Sequence, residues 1–251
     1  LIARFRPLAA LLLGLSASSL SFASTLYPTT CAIAQYEMLS AYHEMSNSPK
    51  QEKLKQALQA SNATLSDCLD KIGSQLSADS ATRLKTANEG MNNDLLYNLG
   101  MIQKTGSSPG QPLASMVNNA LDTTRILTAQ RAGTTPTADA LRKLAVQMAY
   151  LKHRYLERVY GLGGDANRDD SAEPAIESIV ADFSAALEKM RNDKGVKAKP
   201  EMHKKLSTVH VRFNFLRKSI LDYNNTSVPF VVTHHSGFII KTLQEAADGM
   251  E

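Results

Sequence analysis

The sequence predicts an all-α protein: two tandem antiparallel four-helix bundle-like units, about eight helices in all, after a cleaved signal peptide. Apolar residues recur every three or four positions along most of the chain, which is typical of amphipathic helices, and no stretch has a convincing strand pattern. The second observation is an internal repeat, because the segment 57–72 resembles 175–190 at an offset of 118 positions. The matched pairs include Ser66 with Ser184, Leu69 with Leu187 and Lys71 with Lys189.

The repeat continues outside this window and divides the chain into two units. At the same offset Leu95 matches Phe213, and one step less pairs Pro112 with Pro229. The Thr- and Pro-rich connector at 133–139 is the predicted boundary, which gives units at 24–133 and 134–251. Chance similarity between amphipathic helices is the alternative explanation.

Four helices are predicted in the first unit. The first runs from about 29 to 45 and is stopped by Ser-Asn-Ser-Pro, and the second continues to about 76. The third covers about 79–104 with near-heptad apolar spacing. After a break at 105–110, the fourth begins near Pro112, since proline suits a first helical turn.

The second unit also contains four predicted helices. The fifth carries apolar residues from Leu141 to Val159, ends at the glycines 161–164 and is followed by a polar loop at 165–171. The sixth is the second copy of the repeat, and a break at 195–200 precedes the seventh. The seventh has a heptad seam from Met202 to Tyr223, and the eighth runs from Pro229, behind caps at 224–227, to about Gly249.

The N-terminal segment 1–23 is typical of a secretory signal peptide. Arg4 and Arg6 precede the apolar run 8–15, and small residues lead to a predicted cut before Ser24. A retained membrane anchor is the alternative, but the run is short for a bilayer. We therefore expect a periplasmic protein with no transmembrane segment in its mature chain.

Charge and cysteine content limit the classes of partner. The formal charge of +4 falls to +2 without Arg4 and Arg6, so nucleic acid is not an expected partner. Cys31 and Cys68 are the only cysteines. If the first two helices turn near Ser48, the two cysteines lie at nearly the same height, and in an exported protein this predicts a disulfide.

The sequence offers no pattern for an enzyme, a cofactor or a metal ion. It has no haem attachment motif, no phosphate-binding glycine loop and no nucleophile elbow. His203 and His210 are seven positions apart, and His234 and His235 are adjacent, whereas two ligands on one helix usually lie three or four apart. The expectation is a non-catalytic protein with no cofactor and no metal.

A basic segment is the strongest local charge feature. Ten Lys and Arg residues lie between Lys189 and Lys218, against Asp193 and Glu201, for a net charge of +8. Two explanations of this charge are open: a solvated face, or a docking surface for an acidic partner or anionic lipid. The candidate docking residues are Lys197, Lys199, Lys204, Lys205 and Arg212.

Two helices resemble a known sensory domain. The segment 148–155, MAYLKHRY, is similar to the Gln-Arg-Met-Leu-Ser-Gln-Arg pattern that opens the four-helix periplasmic domain of type IV pilus chemoreceptors (PilJ-type) and nitrate/nitrite sensors, keeping Leu151 and Arg154. The segment 36–42, YEMLSAY, keeps Met-Leu-Ser, and 229–232, PFVV, resembles the start of the family's last helix. The resemblance implies two degenerate tandem copies of a chemotaxis-type sensory bundle.

The resemblance also implies where a ligand or partner would bind. In nitrate-sensing members an arginine of the pattern contributes to an anion site between first helices, but Glu37 and Ala149 stand at those positions, so nitrate is not the expected ligand. The chain ends at Glu251 without the receptors' second span, so we expect it to need a membrane receptor for signalling. The candidate contacts are Tyr36, Glu37, Tyr42, His153, Arg154 and Tyr155.

Two functions are consistent with these observations. The first is a periplasmic ligand- or partner-binding module that feeds a membrane receptor or an envelope or pilus system, with the first and fifth helices near the interface of the two units. The second is a structural or chaperone-like envelope protein that works only through protein contacts. A polar internal site favours the first, and continuous apolar packing beside an exposed apolar groove favours the second.

Overall fold

A computed structural model describes residues 26–106, 110–131, 133, 135–160, 174–223 and 227–251. These residues form nine helices, α1 to α9, and no strand. The predicted signal peptide 1–23, the glycines 161–164, the loop 165–171 and the residues 224–226 of the predicted cap lie outside the described residues. The helices are α1 Pro28–Asn47, α2 Glu52–Gly73, α3 Ala78–Thr105, α4 Gly110–Ala129, α5 Pro136–Val159, α6 Ile176–Asn192, α7 Lys194–Lys197, α8 Pro200–Leu221 and α9 Pro229–Asp248.

The all-α class and the eight long helices are confirmed, and α7 is an addition. This single turn occupies part of the predicted break at 195–200. Asp193 makes the turn, because its Oδ1 accepts hydrogen bonds from the amides of Gly195 and Val196 at 2.9 and 3.1 Å. Val196 is fully buried, so the connection between α6 and α8 contributes to the core.

Several helix ends follow from their local sequence. The hydroxyl of Ser77 accepts from the Ser80 amide before α3, and that of Thr135 accepts from the Ala138 amide before α5. Gly106 ends α3 with φ 76°, a left-handed conformation that glycine adopts without steric cost. These caps fix where α3 begins and ends and where α5 begins.

The long helices form two groups with the same order of neighbours. In the first group, α1 contacts α2 and α4, and α3 contacts α4. In the second group, α5 contacts α6 and α9, and α8 contacts α9. The two groups meet where α1 packs against α5, so these two helices have neighbours on several sides.

Burial is distributed differently in outer and central helices. In α8 only one stripe is buried, from Met202 to Ile220, as the heptad seam predicts, and Phe183 of α6 packs on Phe213 with ring centroids 4.4 Å apart. In α1 and α5, buried residues occur around most of the helix and include charged side chains such as Arg154 and Glu157. The central pair therefore places polar groups inside the protein.

A buried disulfide joins the first two helices. Cys31 of α1 and Cys68 of α2 are bonded, with Cα atoms 5.4 Å apart, which confirms the predicted pair. A disulfide is compatible with an exported protein. Within the described residues, no helix has the length and apolar content that crossing a membrane requires.

A second link ties the beginning of the fold to its end. The guanidinium of Arg142, on α5, lies 2.5 Å from Asp248 and 2.8 Å from Glu251, and it covers the ring of Tyr27. Burial, followed by the hydrogen bond that the Tyr27 hydroxyl donates to Glu251, raises the pKa of Tyr27. The contact holds the start of α1, the start of α5 and the end of α9 together.

Removal of the disulfide should destabilise the fold substantially. The bond closes a loop with a sequence separation of 37 residues. For such a loop, constraint of the unfolded chain contributes about 4 kcal/mol. The double variant Cys31→Ala/Cys68→Ala should lose about that free energy of unfolding in urea titration at unchanged pH. Alkylation and mass measurement of the unreduced wild type is the control, and two alkylated cysteines there would show that the bond does not form.

Phe213 and Phe215 provide a matched test of the α8 seam. Phe213→Ala removes a buried ring against Phe183 and should cost about 3–5 kcal/mol of unfolding free energy. Phe215 is 60% exposed, so Phe215→Ala should cost less than about 1 kcal/mol. Urea denaturation of both variants measures the difference, and equal costs would contradict this orientation of α8.

Candidate functional site

The candidate site is a group of polar and aromatic side chains where α1 packs against α5. We call it the α1–α5 cluster. Most of its members are buried because both helices have neighbours on several sides, whereas Glu37 and Tyr150 are half-buried. The members on α1 are Tyr36, Glu37 and His43, and those on α5 are Tyr150, Lys152, His153, Arg154 and Glu157.

Two histidines from different helices meet at the centre of the cluster. His43 Nε2 and His153 Nδ1 are 3.1 Å apart, and the two rings are stacked with centroids 5.0 Å apart. Both residues are fully buried. A hydrogen bond between ring nitrogens requires one nitrogen to donate and the other to accept, so at least one imidazole is neutral in this geometry.

Aromatic rings enclose the histidine pair. The ring of Tyr36 stacks on His153 with centroids 5.8 Å apart, and Tyr150 lies 6.3 Å from the same imidazole. On the other side, Tyr42 makes an edge contact with His43 at 5.7 Å. The histidines therefore lie out of contact with bulk water, in surroundings where electrostatic interactions are stronger than in water.

Two ion pairs accompany the histidines. Arg154 Nη1 donates to Glu157 Oε2 at 2.8 Å, and these residues are 1% and 0% exposed. Lys152, which is also buried, pairs with Glu37 across the helix contact, and the Glu37 side chain reaches the surface. The four charges cancel, which lowers the cost of burial, but such pairs add little net stability compared with apolar packing.

The cluster contains one set of potential metal ligands. One atom each from His43, His153 and Glu157 lies within 4.8 Å of the others, and all three residues are buried. His153 and Glu157 are four positions apart on α5, which puts them on the same side of consecutive turns. Two imidazoles and a carboxylate can bind a divalent transition metal or relay a proton.

The structure separates the candidate contacts that sequence analysis selected. Tyr36 and Glu37 reach α5 residues, and His153 and Arg154 are members of the same cluster. The Tyr155 hydroxyl instead accepts from the Val228 amide at 2.8 Å and holds the start of α9. Apart from Glu37, the other five candidates are at most 2% exposed, so a partner at the surface cannot contact them.

Sequence analysis did not select His43, Tyr150, Lys152 or Glu157. The spacing of His153 and Glu157 is a usable signal, since four positions is the separation that brings two ligands together on a helix. A rule that compares histidine with histidine does not detect this pair of unlike ligands. His43 has no such signal, because its neighbour lies 110 positions away and is brought near by α1–α5 packing.

The basic candidate residues are partly engaged with α9 and the residues after it. Lys199 donates to the carbonyl of Gly249 at 2.8 Å, and Lys205 lies 3.4 Å from Glu245. Arg212 contacts His235 Nδ1 at 3.0 Å and covers the ring of Phe238. Lys197 and Lys204 are exposed. Three of the five residues thus help to hold the C-terminal part of the chain against α8.

His235 is disfavoured as a cation at this surface. Desolvation lowers the pKa of His235, and the positive charges of Arg212 and His234 lower it further. Its hydrogen bond with Arg212 requires an unprotonated Nδ1, since the guanidinium can only donate. His235 is therefore a neutral acceptor that orients Arg212.

The fold and the site together define an all-α protein of two helix groups with a buried polar cluster where the groups meet. In comparisons with known proteins, no family model, no curated protein and no solved structure matches this chain. The function is therefore argued from the geometry of the cluster.

The buried Arg154–Glu157 pair should respond to truncation much more strongly than an exposed pair of the same type. Arg154→Met leaves a buried carboxylate without this cation and should cost about 3–5 kcal/mol of unfolding free energy. Arg191 and Glu188 form an exposed pair at 2.7 Å with the same separation in sequence, and Arg191→Met should cost less than about 1 kcal/mol. Urea titration compares the two variants, and similar costs would mean that Arg154 is not part of a buried pair.

Proposed function

We propose that this chain is a non-catalytic binding protein of the cell envelope, a sensor-like helical module whose ligand site is the α1–α5 cluster. The observation that carries the proposal is the convergence of two histidines and two ion pairs in the interior, where α1 meets α5. The module would pass the bound state to a membrane receptor or an envelope assembly, such as a pilus system.

The energetic cost of the cluster supports a binding role. Apolar residues of similar volume at these positions would pack at least as stably as buried ion pairs do. Buried ionisable groups that lie together are also more frequent at functional sites than elsewhere. A cluster with two charges of each sign and two imidazoles between helices therefore favours a ligand site over continuous apolar packing.

The helix arrangement supports the kinship with sensory bundles. In both groups, the first helix contacts the second and fourth, and the third contacts the fourth. In the family that the sequence resembles, the anion site lies between first helices of two subunits. Tandem duplication would place α1 and α5 in that relation within one chain, and the cluster lies between these two helices. Glu37 and Ala149 remain unsuitable for nitrate.

A location outside the cytoplasm fits this proposal. The segment 1–23 has the order of a signal peptide, and Cys31 and Cys68 are disulfide-bonded. Both features are typical of a protein that functions outside the cytoplasm. A periplasmic location would give the module access to solutes that a membrane receptor monitors.

A second candidate function is an envelope protein that acts through protein contacts alone. Apolar side chains on the outer surface of α8 and α9 favour it, because Val211 is 67% exposed, Phe215 60% and Phe230 82%. Phe230 stacks on His234 with ring centroids 6.2 Å apart, so part of this apolar surface is already ordered. A contact protein would depend on these residues and not on the cluster.

A thermal-shift screen distinguishes the two functions. The protein without residues 1–23 is tested against small anions, amino acids, polyamines and divalent metals. We expect one class to raise the melting temperature of the wild type and to lose that effect in His153→Phe, which keeps an aromatic ring but removes both nitrogens. The matched control is His203→Phe on α8, which should keep the shift.

The outcome that contradicts the proposal is a shift of equal size in the wild type and in His153→Phe for every active class. Loss of envelope function in Phe215→Ser/Phe230→Ser, with full function in His153→Phe, would instead establish the contact protein. Circular dichroism of each variant verifies that it is folded before the comparison is made.

A further inference from the structure

We propose that His43, His153 and Glu157 bind one divalent transition-metal ion of the zinc class between α1 and α5. The inference rests on the proposed function, since it identifies the ligand of the α1–α5 cluster. It stands on a juxtaposition: one atom from each of three buried side chains lies within 4.8 Å of the other two, and the three side chains come from two helices.

The distances are close to those that a metal requires. Tetrahedral zinc has bonds of about 2.0–2.1 Å to histidine nitrogen, which places neighbouring ligand atoms about 3.3–3.5 Å apart. His43 Nε2 and His153 Nδ1 are 3.1 Å apart. The two imidazoles therefore need to separate by a few tenths of an ångström and to turn so that both lone pairs point at one ion, and the carboxylate of Glu157 has to approach from the next turn of α5.

The ligand types select the class of ion. Imidazole nitrogen suits zinc, copper and nickel, whereas magnesium and calcium prefer oxygen ligands throughout. Two histidines and one glutamate also form one of the ligand sets found around zinc with an open fourth position. A bound ion would leave that position for water or for a small anionic ligand.

Binding would change the hydrogen bonding of the histidine pair. The two facing nitrogens share one hydrogen, and both must present a lone pair to the metal. One imidazole must then move its hydrogen to the opposite ring nitrogen, a tautomer change that requires no net loss of a proton. The ion would replace a helix-to-helix hydrogen bond with two metal–nitrogen bonds that connect the same helices.

The surroundings orient the ligands and also limit the affinity. Arg154 holds Glu157 Oε2 at 2.8 Å, which fixes the carboxylate as hydrogen bonds to metal ligands commonly do. The cations Arg154 and Lys152 are already balanced by Glu157 and Glu37, so the cluster has no excess negative charge for the ion. We expect reversible binding, weaker than at a structural zinc site, which suits a sensor.

The experiment is zinc titration of the protein without residues 1–23, after treatment with EDTA and dialysis. Isothermal calorimetry with zinc sulfate should give one ion per wild-type chain, and His43→Phe and His153→Phe should each weaken binding by roughly 100-fold or more. The control is His234→Ala/His235→Ala, which removes the histidine pair at the surface of α9 and should change the affinity by less than about threefold if the buried site is responsible. Cobalt(II) should give the visible absorption of a tetrahedral site in the wild type and in this control.

Glu157→Gln is a second, independent variant that keeps the shape of the side chain and an oxygen that can accept from Arg154, and it should lower the stability because Arg154 loses its counter-charge. It should weaken zinc binding and alter the cobalt spectrum at a temperature where circular dichroism shows that it is folded. Stoichiometric binding that survives in His153→Phe and Glu157→Gln but disappears in His234→Ala/His235→Ala would overturn the proposal in favour of a surface site. Absence of zinc and cobalt binding to the folded wild type would also overturn it.

The metal assignment and the proposed function are contradicted by different results. If an amino acid or small anion stabilises the wild type but not His153→Phe, and no metal binds, the cluster is a ligand site for another class of molecule. In that case the metal assignment is wrong and the proposed function stands. If neither metals nor solutes distinguish His153→Phe from the wild type, both are wrong.

Discussion

The packing of α1 against α5 is the contact on which the rest of the structure depends. It is where the two groups of helices meet, and each of the two helices is also fastened to its own group. The disulfide ties α1 to α2, and the ion pairs of Arg142 tie α5 to the end of α9. Because each helix is fixed to its own group of helices, the side chains that meet between α1 and α5 are held in one register.

The same packing explains why polar groups are buried here. An outer helix such as α8 keeps its charges in water and buries one stripe, from Met202 to Ile220. On a helix with neighbours on several sides, charges face other helices instead of water and must be paired within the protein. Lys152 therefore pairs with Glu37 across the contact, and the two histidines share a hydrogen bond. These directional interactions favour a particular register of α1 and α5, whereas apolar side chains would tolerate several.

Sequence patterns predict those parts of the fold that depend on local periodicity. The α8 seam follows from apolar spacing, the ends of the long helices follow from prolines, glycines and polar breaks, and the disulfide follows from the height of two cysteines on an antiparallel hairpin. The turn α7 does not, since it depends on the Asp193 side chain and on space in the core for Val196. The cluster is predictable only in part, because the resemblance selects His153 and Arg154, whereas His43 reaches them only when α1 packs against α5.

The position of the cluster suits a protein that reports ligand binding. A ligand can shift a conformational equilibrium only by the difference in its affinity for the two states. An ion bound by His43 of α1 and by His153 and Glu157 of α5 would bind tightly only while the two helices keep their spacing, so it would favour that arrangement. Because α1 also packs on α2 and α4, and α5 on α6 and α9, a preference for one spacing of the central pair would act on both groups of helices.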